Sequence, residues 1–157
     1  MTRIVSAAES QIRLNARGRW VHRDEPFLHP RIIEFFHRAI RLDEEGACYL
    51  HNVVEGVEER VYFVAEDTPF FVMAFELDEE RGRVRLALNV GKLEELEPEC
   101  LKAAEGGLLY ARTLDGHLAR FTDHALGQIA DLAVEDGDGI FLEIGEKRIR
   151  IGESSAP

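Results

Sequence analysis

Leu108-Leu109-Tyr110-Ala111-Arg112-Thr113-Leu114-Asp115-Gly116-His117-Leu118-Ala119-Arg120-Phe121 is the stretch on which the reading of this fold turns. Two apolar runs flank Asp115-Gly116, a pair that favours a tight hairpin because both residues tolerate positive φ. Thr122 follows as an N-cap. Leu126, Ile129, Ala130 and Ala133 then recur at helical spacing and predict a helix over 123–134. Glu135 to Gly139 reads as an acidic turn, and Ile140–Ile144 with Lys147–Ile151 as a last hairpin around Gly145-Glu146, before a polar tail at 152–157.

The same plan runs from Ile12 to Val64. Ile12, Leu14 and Trp20 surround the turn residues Asn15–Gly18, and a period of two sets Trp20 on one face and Arg13, Arg19 and Arg23 largely on the other. Pro30 suits the first helical position. Ile32, Phe35, Phe36, Ala39 and Ile40 form one apolar stripe behind it, and Asp43-Glu44-Glu45-Gly46 breaks the helix. Strands at Ala47–Leu50 and Arg60–Val64 complete the unit. Gly18 and Gly116, Trp20 and Leu118, and Gly46 and Gly139 are the matching landmarks.

Between the two stretches, Phe70–Leu77 and Arg83–Val90 read as a hairpin around Asp78–Gly82, and Lys92–Glu105 as a connector with a short helix after Pro98. The expected fold is therefore α+β: two repeated β-β-α-β-β units with mainly antiparallel sheets, joined by a central β-hairpin. The boundaries expected are 1–90 for the first unit with the hairpin and 91–157 for the second, or one compact domain.

Size and charge bound the function. The chain has 157 residues, 45% of them hydrophobic, which suits a packed globular core. No apolar run approaches the ~20 residues of a membrane span, and the first residues lack the apolar region of a secretory signal. Two cysteines, Cys48 and Cys100, fit a reduced, cytoplasmic setting better than a disulfide scaffold. The net charge of −11 argues against nucleic acid as a partner. It is uneven, +4 over residues 1–41 and −15 over the remainder, as expected of a basic N-terminal part lying against an acidic remainder.

Few motifs carry chemistry. Glu66-Asp67 could serve a ligand, a metal or an acid–base pair, but adjacent strand residues point to opposite faces, and Asp67-Thr68-Pro69 reads more simply as a turn. His22, His29, His37, Cys48 and His51 are donors at spacings that match no metal-ligand pattern. Asp136-Gly137-Asp138-Gly139 lacks the glutamate that closes a calcium loop. No phosphate loop, dinucleotide fingerprint or nucleophile elbow is present. That leaves the arginine face, whose forked donors suit carboxylate or phosphate.

The residues also carry a resemblance. Gly18-Arg19-Trp20, Ile32 to Ile40, Glu45-Gly46 with Tyr49-Leu50, Glu66-Asp67-Thr68-Pro69-Phe70 and Leu88-Asn89-Val90-Gly91 resemble a bacterial family of uncharacterised cytosolic proteins. Leu109-Tyr110-Ala111-Arg112 and Ala119-Arg120-Phe121 resemble the family's C-terminal unit. The chain departs at Ala65, where the family favours Val, and at Glu143-Ile144. The resemblance implies a two-part α+β fold with repeated motifs and a role in signalling or ligand sensing, with no catalytic residues to carry over.

The reading is a non-catalytic ligand-binding or signal-transduction module without metal or cofactor, its ligand residues Arg13, Arg19, Arg23, Glu66 and Asp67. Its partner is a small anionic ligand or another protein. The alternatives are a metal-dependent or hydrolytic enzyme using Glu66, Asp67 and a nearby histidine, and a structural homodimer or partner subunit.

Overall fold

Four hairpins of the chain close by one device. The N–H of Asn15, Asp43, Leu88 and Thr113 donates to the carbonyl four residues on, and the glycine three residues on donates back, all at 2.8–3.1 Å. Gly18, Gly46, Gly91 and Gly116 take φ of 82–87°, the left-handed step that ends a three-residue hairpin loop and that glycine adopts without strain. Asn15 and Asp43 reinforce their loops: each Oδ1 accepts two backbone N–H groups at 2.9–3.0 Å.

The computed structural model describes residues 1–144 and 146–152. The chain divides into two compact units, Met1–Pro69 and a second beginning at Phe70. The first unit runs β1 (Thr2–Val5), α1 (Ala7–Ser10), β2 (Ile12–Leu14), β3 (Trp20–His22), β4 (Glu25–Pro26), α2 (Pro30–Ala39), β5 (Ile40–Leu42), β6 (Cys48–Val54), β7 (Val57–Tyr62) and β8 (Val64–Ala65). One sheet has the order β1-β7-β6-β5 and the other β4-β3-β2-β8. The pairs β1–β7 and β2–β8 are parallel, the others antiparallel.

Trp20 centres this unit's core. Its ring lies 4.8 Å from Phe63 and 5.3 Å from Phe36 in edge contacts, an arrangement favoured by the aromatic quadrupole. Leu14, Ile40 and Leu50 are buried in the same unit. The α2 stripe is only partly used. Pro30 opens the helix and His29 caps it, its Nδ1 accepting the Arg31 N–H at 3.2 Å. Phe36 is half-buried, while Ile32 and Phe35 stay 41% and 47% exposed. The inward face instead carries His37, because its Nδ1 accepts the Trp20 indole N–H at 3.2 Å. Ile40 has extended backbone and starts β5 rather than prolonging the helix.

The second unit runs β9 (Phe70–Asp78), β10 (Arg83–Leu88), β11 (Leu93–Leu96), β12 (Leu101–Ala104), β13 (Leu108–Arg112), β14 (Leu118–Phe121), α3 (Asp123–Ala130), β15 (Ala133–Asp136), β16 (Gly139–Ile144) and β17 (Lys147–Gly152), with 3-10 turns at Pro98–Cys100 and Glu105–Gly107. A six-stranded sheet has the order β11-β10-β9-β14-β13-β12, and β15-β16-β17 form a separate meander. The core gathers Phe75, Val84, Leu86, Phe121, Ile129 and Leu142. Thr122 caps α3 as expected, its Oγ1 accepting the Ala125 N–H at 3.2 Å.

The expected α+β fold of two β-β-α-β-β repeats is overturned. Strands take 52% of the described residues and helices 18%, in four sheets. The hairpin placed between the units is part of the second one: β9 pairs in parallel with β14 and draws the β13–β14 hairpin into the six-stranded sheet. The β2–β3 hairpin instead sits between the short strands β4 and β8. The Lys92–Glu105 connector forms two strands, and α3 ends at Ala130, leaving Ala133 to β15. Gly145 of the last hairpin and the tail beyond Gly152 lie outside the described residues. Among the described residues no helix is long and apolar enough to cross a membrane.

Candidate functional site

Short-range backbone chemistry places two of the predicted arginines together. Arg13 lies in β2 opposite Val21, on the face away from buried Leu14 and Trp20. After β3 the chain reverses through Arg23 and Asp24 alone, with φ of 51° and 66°. A two-residue hairpin with both residues left-handed is the turn that usually carries Asn-Gly. Beside it, α1 ends on Gln11, also left-handed at φ 55°. The Arg23 N–H donates to the Gln11 carbonyl at 3.3 Å.

Of the four described non-glycine residues with positive φ, three are thus Gln11, Arg23 and Asp24. All three line one cavity of 850 Å³, together with Ala7, Ala8, Ile12, Arg13 and Val64. Strained backbone of this kind clusters at functional sites more than elsewhere. The volume lies within the range of small-molecule sites.

Two arginines against one carboxylate, Asp24, leave the described lining of the cavity net positive. Arg13 is 48% exposed and sits 3.7 Å from Glu66, too open and too long to tie its charge up. Glu66 also braces the neighbouring turn. Its Oε2 accepts the Ala16 N–H at 3.2 Å, while its own N–H donates to the Leu14 carbonyl. Arg23 has no ion-pair partner among the described residues. Of the predicted ligand residues, Arg13 and Arg23 therefore line the cavity. Arg19, Glu66 and Asp67 do not, and Glu66 acts as a positioning partner for Arg13 and the Asn15 turn.

The most connected polar cluster of the first unit is already satisfied. Tyr62 donates to Asp43 Oδ2 at 3.0 Å, and Arg60 pairs with Glu58 at 2.8 Å and stacks 4.7 Å over the Tyr49 ring. The backbone N–H of Ala47 holds the Asp43 carboxyl below the usual carboxylate range, and desolvation pushes the Tyr62 phenol up. Neither group is tuned for proton transfer near neutrality. Burial also pushes the Cys48 thiol up, which keeps it protonated and unreactive. Among the described residues no group of three or more His, Cys, Asp or Glu is placed to hold a metal ion.

Another cavity, of 650 Å³, lies within the second unit against α3 and the Glu105-Gly106-Gly107 turn, with Leu126, Ile129 and Ile140 in its lining. Among the described residues Glu105 is the one ionisable member of its lining.

The family model DUF2944, described as "Protein of unknown function (DUF2946)", matches residues 5–153. The chain belongs to this family. Among solved structures the chain is similar to a DUF1285 family protein from Silicibacter pomeroyi DSS-3, at 16% identity and a TM-score of 0.63, over 98% of this chain and 83% of that one. It is also similar to a DUF1285 family protein from Shewanella baltica OS155, at 16% identity and a TM-score of 0.50, over 73% of this chain and 85% of that one. At such identity the likeness is one of fold. No curated protein matches. The sequence resemblance to a family without assigned function thus holds at that level.

Sequence reading missed Gln11 and Asp24. A primed turn built from Arg-Asp lacks the Asn or Gly that announces one.

Proposed function

We propose that this protein is a non-catalytic binding or signalling module whose first unit takes a small anionic ligand between Arg13 and Arg23. One observation carries the reading: two arginines and three left-handed, non-glycine residues line the same 850 Å³ cavity. Guanidinium groups offer forked donors to a carboxylate or phosphate. Ala7, Ala8, Ile12 and Val64 supply an apolar wall, so the ligand carries its anion on an apolar body.

The test is calorimetric titration of the full chain with 4-methylpentanoate and with inorganic phosphate. Arg13→Gln and Arg23→Gln each weaken binding of the preferred anion about tenfold, as expected for a charge-assisted hydrogen bond. Arg19→Gln, outside the lining, leaves it unchanged. Affinity indifferent to both cavity arginines overturns the reading.

A further inference from the structure

We infer that the ligand of this cavity is an aliphatic zwitterion, a free α-amino acid or a short peptide; the inference rests on the anion-binding reading and goes on to name the ligand class. Three kinds of chemistry meet in the lining. Arg13 and Arg23 suit a carboxylate, Ile12 and Val64 suit an aliphatic side chain, and Asp24 suits an ammonium group.

Asp24 is the informative residue. A pocket meant for a simple anion gains nothing from a carboxylate in its wall, since like charges repel at close range. Asp24 has no ion-pair partner among the described residues, so it is not there to neutralise Arg23 or another cation. Local turn chemistry tolerates aspartate here without requiring it, since asparagine and glycine serve a left-handed turn position as well. Glycine meets the left-handed requirement at φ 66° with less strain than aspartate does. A ligand ammonium accounts for a carboxylate at that point. Arg23 and Asp24 both line the cavity, so one ligand meets both signs of charge there, as a zwitterion requires. The volume of 850 Å³ leaves room beyond a single aliphatic amino acid, which admits a peptide.

The experiment titrates the full chain with leucine, leucyl-leucine, 4-methylpentanoate and leucinamide. 4-methylpentanoate keeps the carboxylate and aliphatic body of leucine without the ammonium; leucinamide keeps the ammonium without the carboxylate. The expected result is that the better of the two zwitterions binds about tenfold tighter than 4-methylpentanoate. Asp24→Asn, which tolerates the left-handed backbone, abolishes that advantage, while 4-methylpentanoate, relieved of a like charge, binds at least as tightly as before. The tighter of leucine and leucyl-leucine says which source the ligand has. Equal or tighter binding of 4-methylpentanoate overturns the zwitterion and leaves the anion site standing. Tightest binding of leucinamide, or no binding of any probe, overturns both.

Discussion

The backbone N–H of Arg23 donates to the carbonyl of Gln11 at 3.3 Å, and both residues hold left-handed backbone. This bond ties the end of α1 to the turn between β3 and β4, two elements of different local origin. The wall of the arginine cavity is therefore set by main chain, and its side chains start from fixed points. Such a wall is costly in conformational energy and useful for recognition.

That cost can be removed. Replacing Arg23-Asp24 by Asn-Gly fits the turn's dihedral requirements and relieves left-handed strain that runs to about 1–2 kcal/mol per ordinary residue. The double variant is expected to gain about 1 kcal/mol in urea unfolding while losing anion binding. A variant that is less stable than the parent shows that the Arg-Asp pair stabilises the turn, contrary to this account.

His37 gives the first unit a pH dependence. Burial holds its imidazole below the usual range, and its Nδ1 must stay unprotonated to accept the Trp20 indole N–H. The unfolded chain takes up the proton more readily, near the ordinary value of about 6.5. The stabilisation is therefore full above that pH and falls away as pH drops below it, through the lowered folded value. Between pH 7.5 and pH 5, the parent should lose more stability than His37→Gln, whose amide oxygen keeps the acceptor without the titration. Parallel losses in the two proteins remove the claim.

The α2 stripe offers a direct comparison of neighbours. Phe36 touches Trp20 at 5.3 Å and Phe27 at 5.0 Å, whereas Phe35 is 47% exposed. Phe36→Ala should cost about 2–3 kcal/mol, less than a fully buried phenylalanine. Phe35→Ser should stay within about 0.5 kcal/mol. Equal costs from chemical denaturation contradict the packing described.

What could be read in the sequence was local. The glycine turns at Gly18, Gly46 and Gly116, the Thr122 cap, the Pro30 helix start and the inward Trp20 each follow from residues within a few positions of one another. Arg13 follows strand alternation, but Arg23 reaches the cavity through a left-handed turn that alternation does not foresee. The sheets were not legible, because β1–β7, β2–β8 and β9–β14 join segments far apart in sequence through parallel pairs that leave no turn signature. Two-residue strands such as β4 and β8 are too short to show a period of their own. Helix weight was over-read for the same reason: an apolar stripe continued past Ala39 and past Ala130 into strands.

In the second unit, Asn89 stands in for backbone. It is 6% exposed; its Oδ1 accepts the Phe71 N–H and its N–H donates to the Phe71 carbonyl, both at 2.9 Å. Asn89→Ala leaves a buried N–H without its acceptor, at a cost of about 1–3 kcal/mol. The loss should appear in urea unfolding together with faster hydrogen exchange at Phe71. Wild-type protection there means that the Asn89 side chain is dispensable.

The most direct test of the central claim is an amide NMR titration of the full chain with 4-methylpentanoate. The account predicts saturable shifts centred on Ala7, Ala8, Gln11, Arg13, Arg23 and Asp24, the residues around the arginine cavity, and their loss in Arg23→Gln. Shifts that do not saturate, or that gather instead on Glu105–Leu109 beside the apolar cavity of the second unit, contradict it.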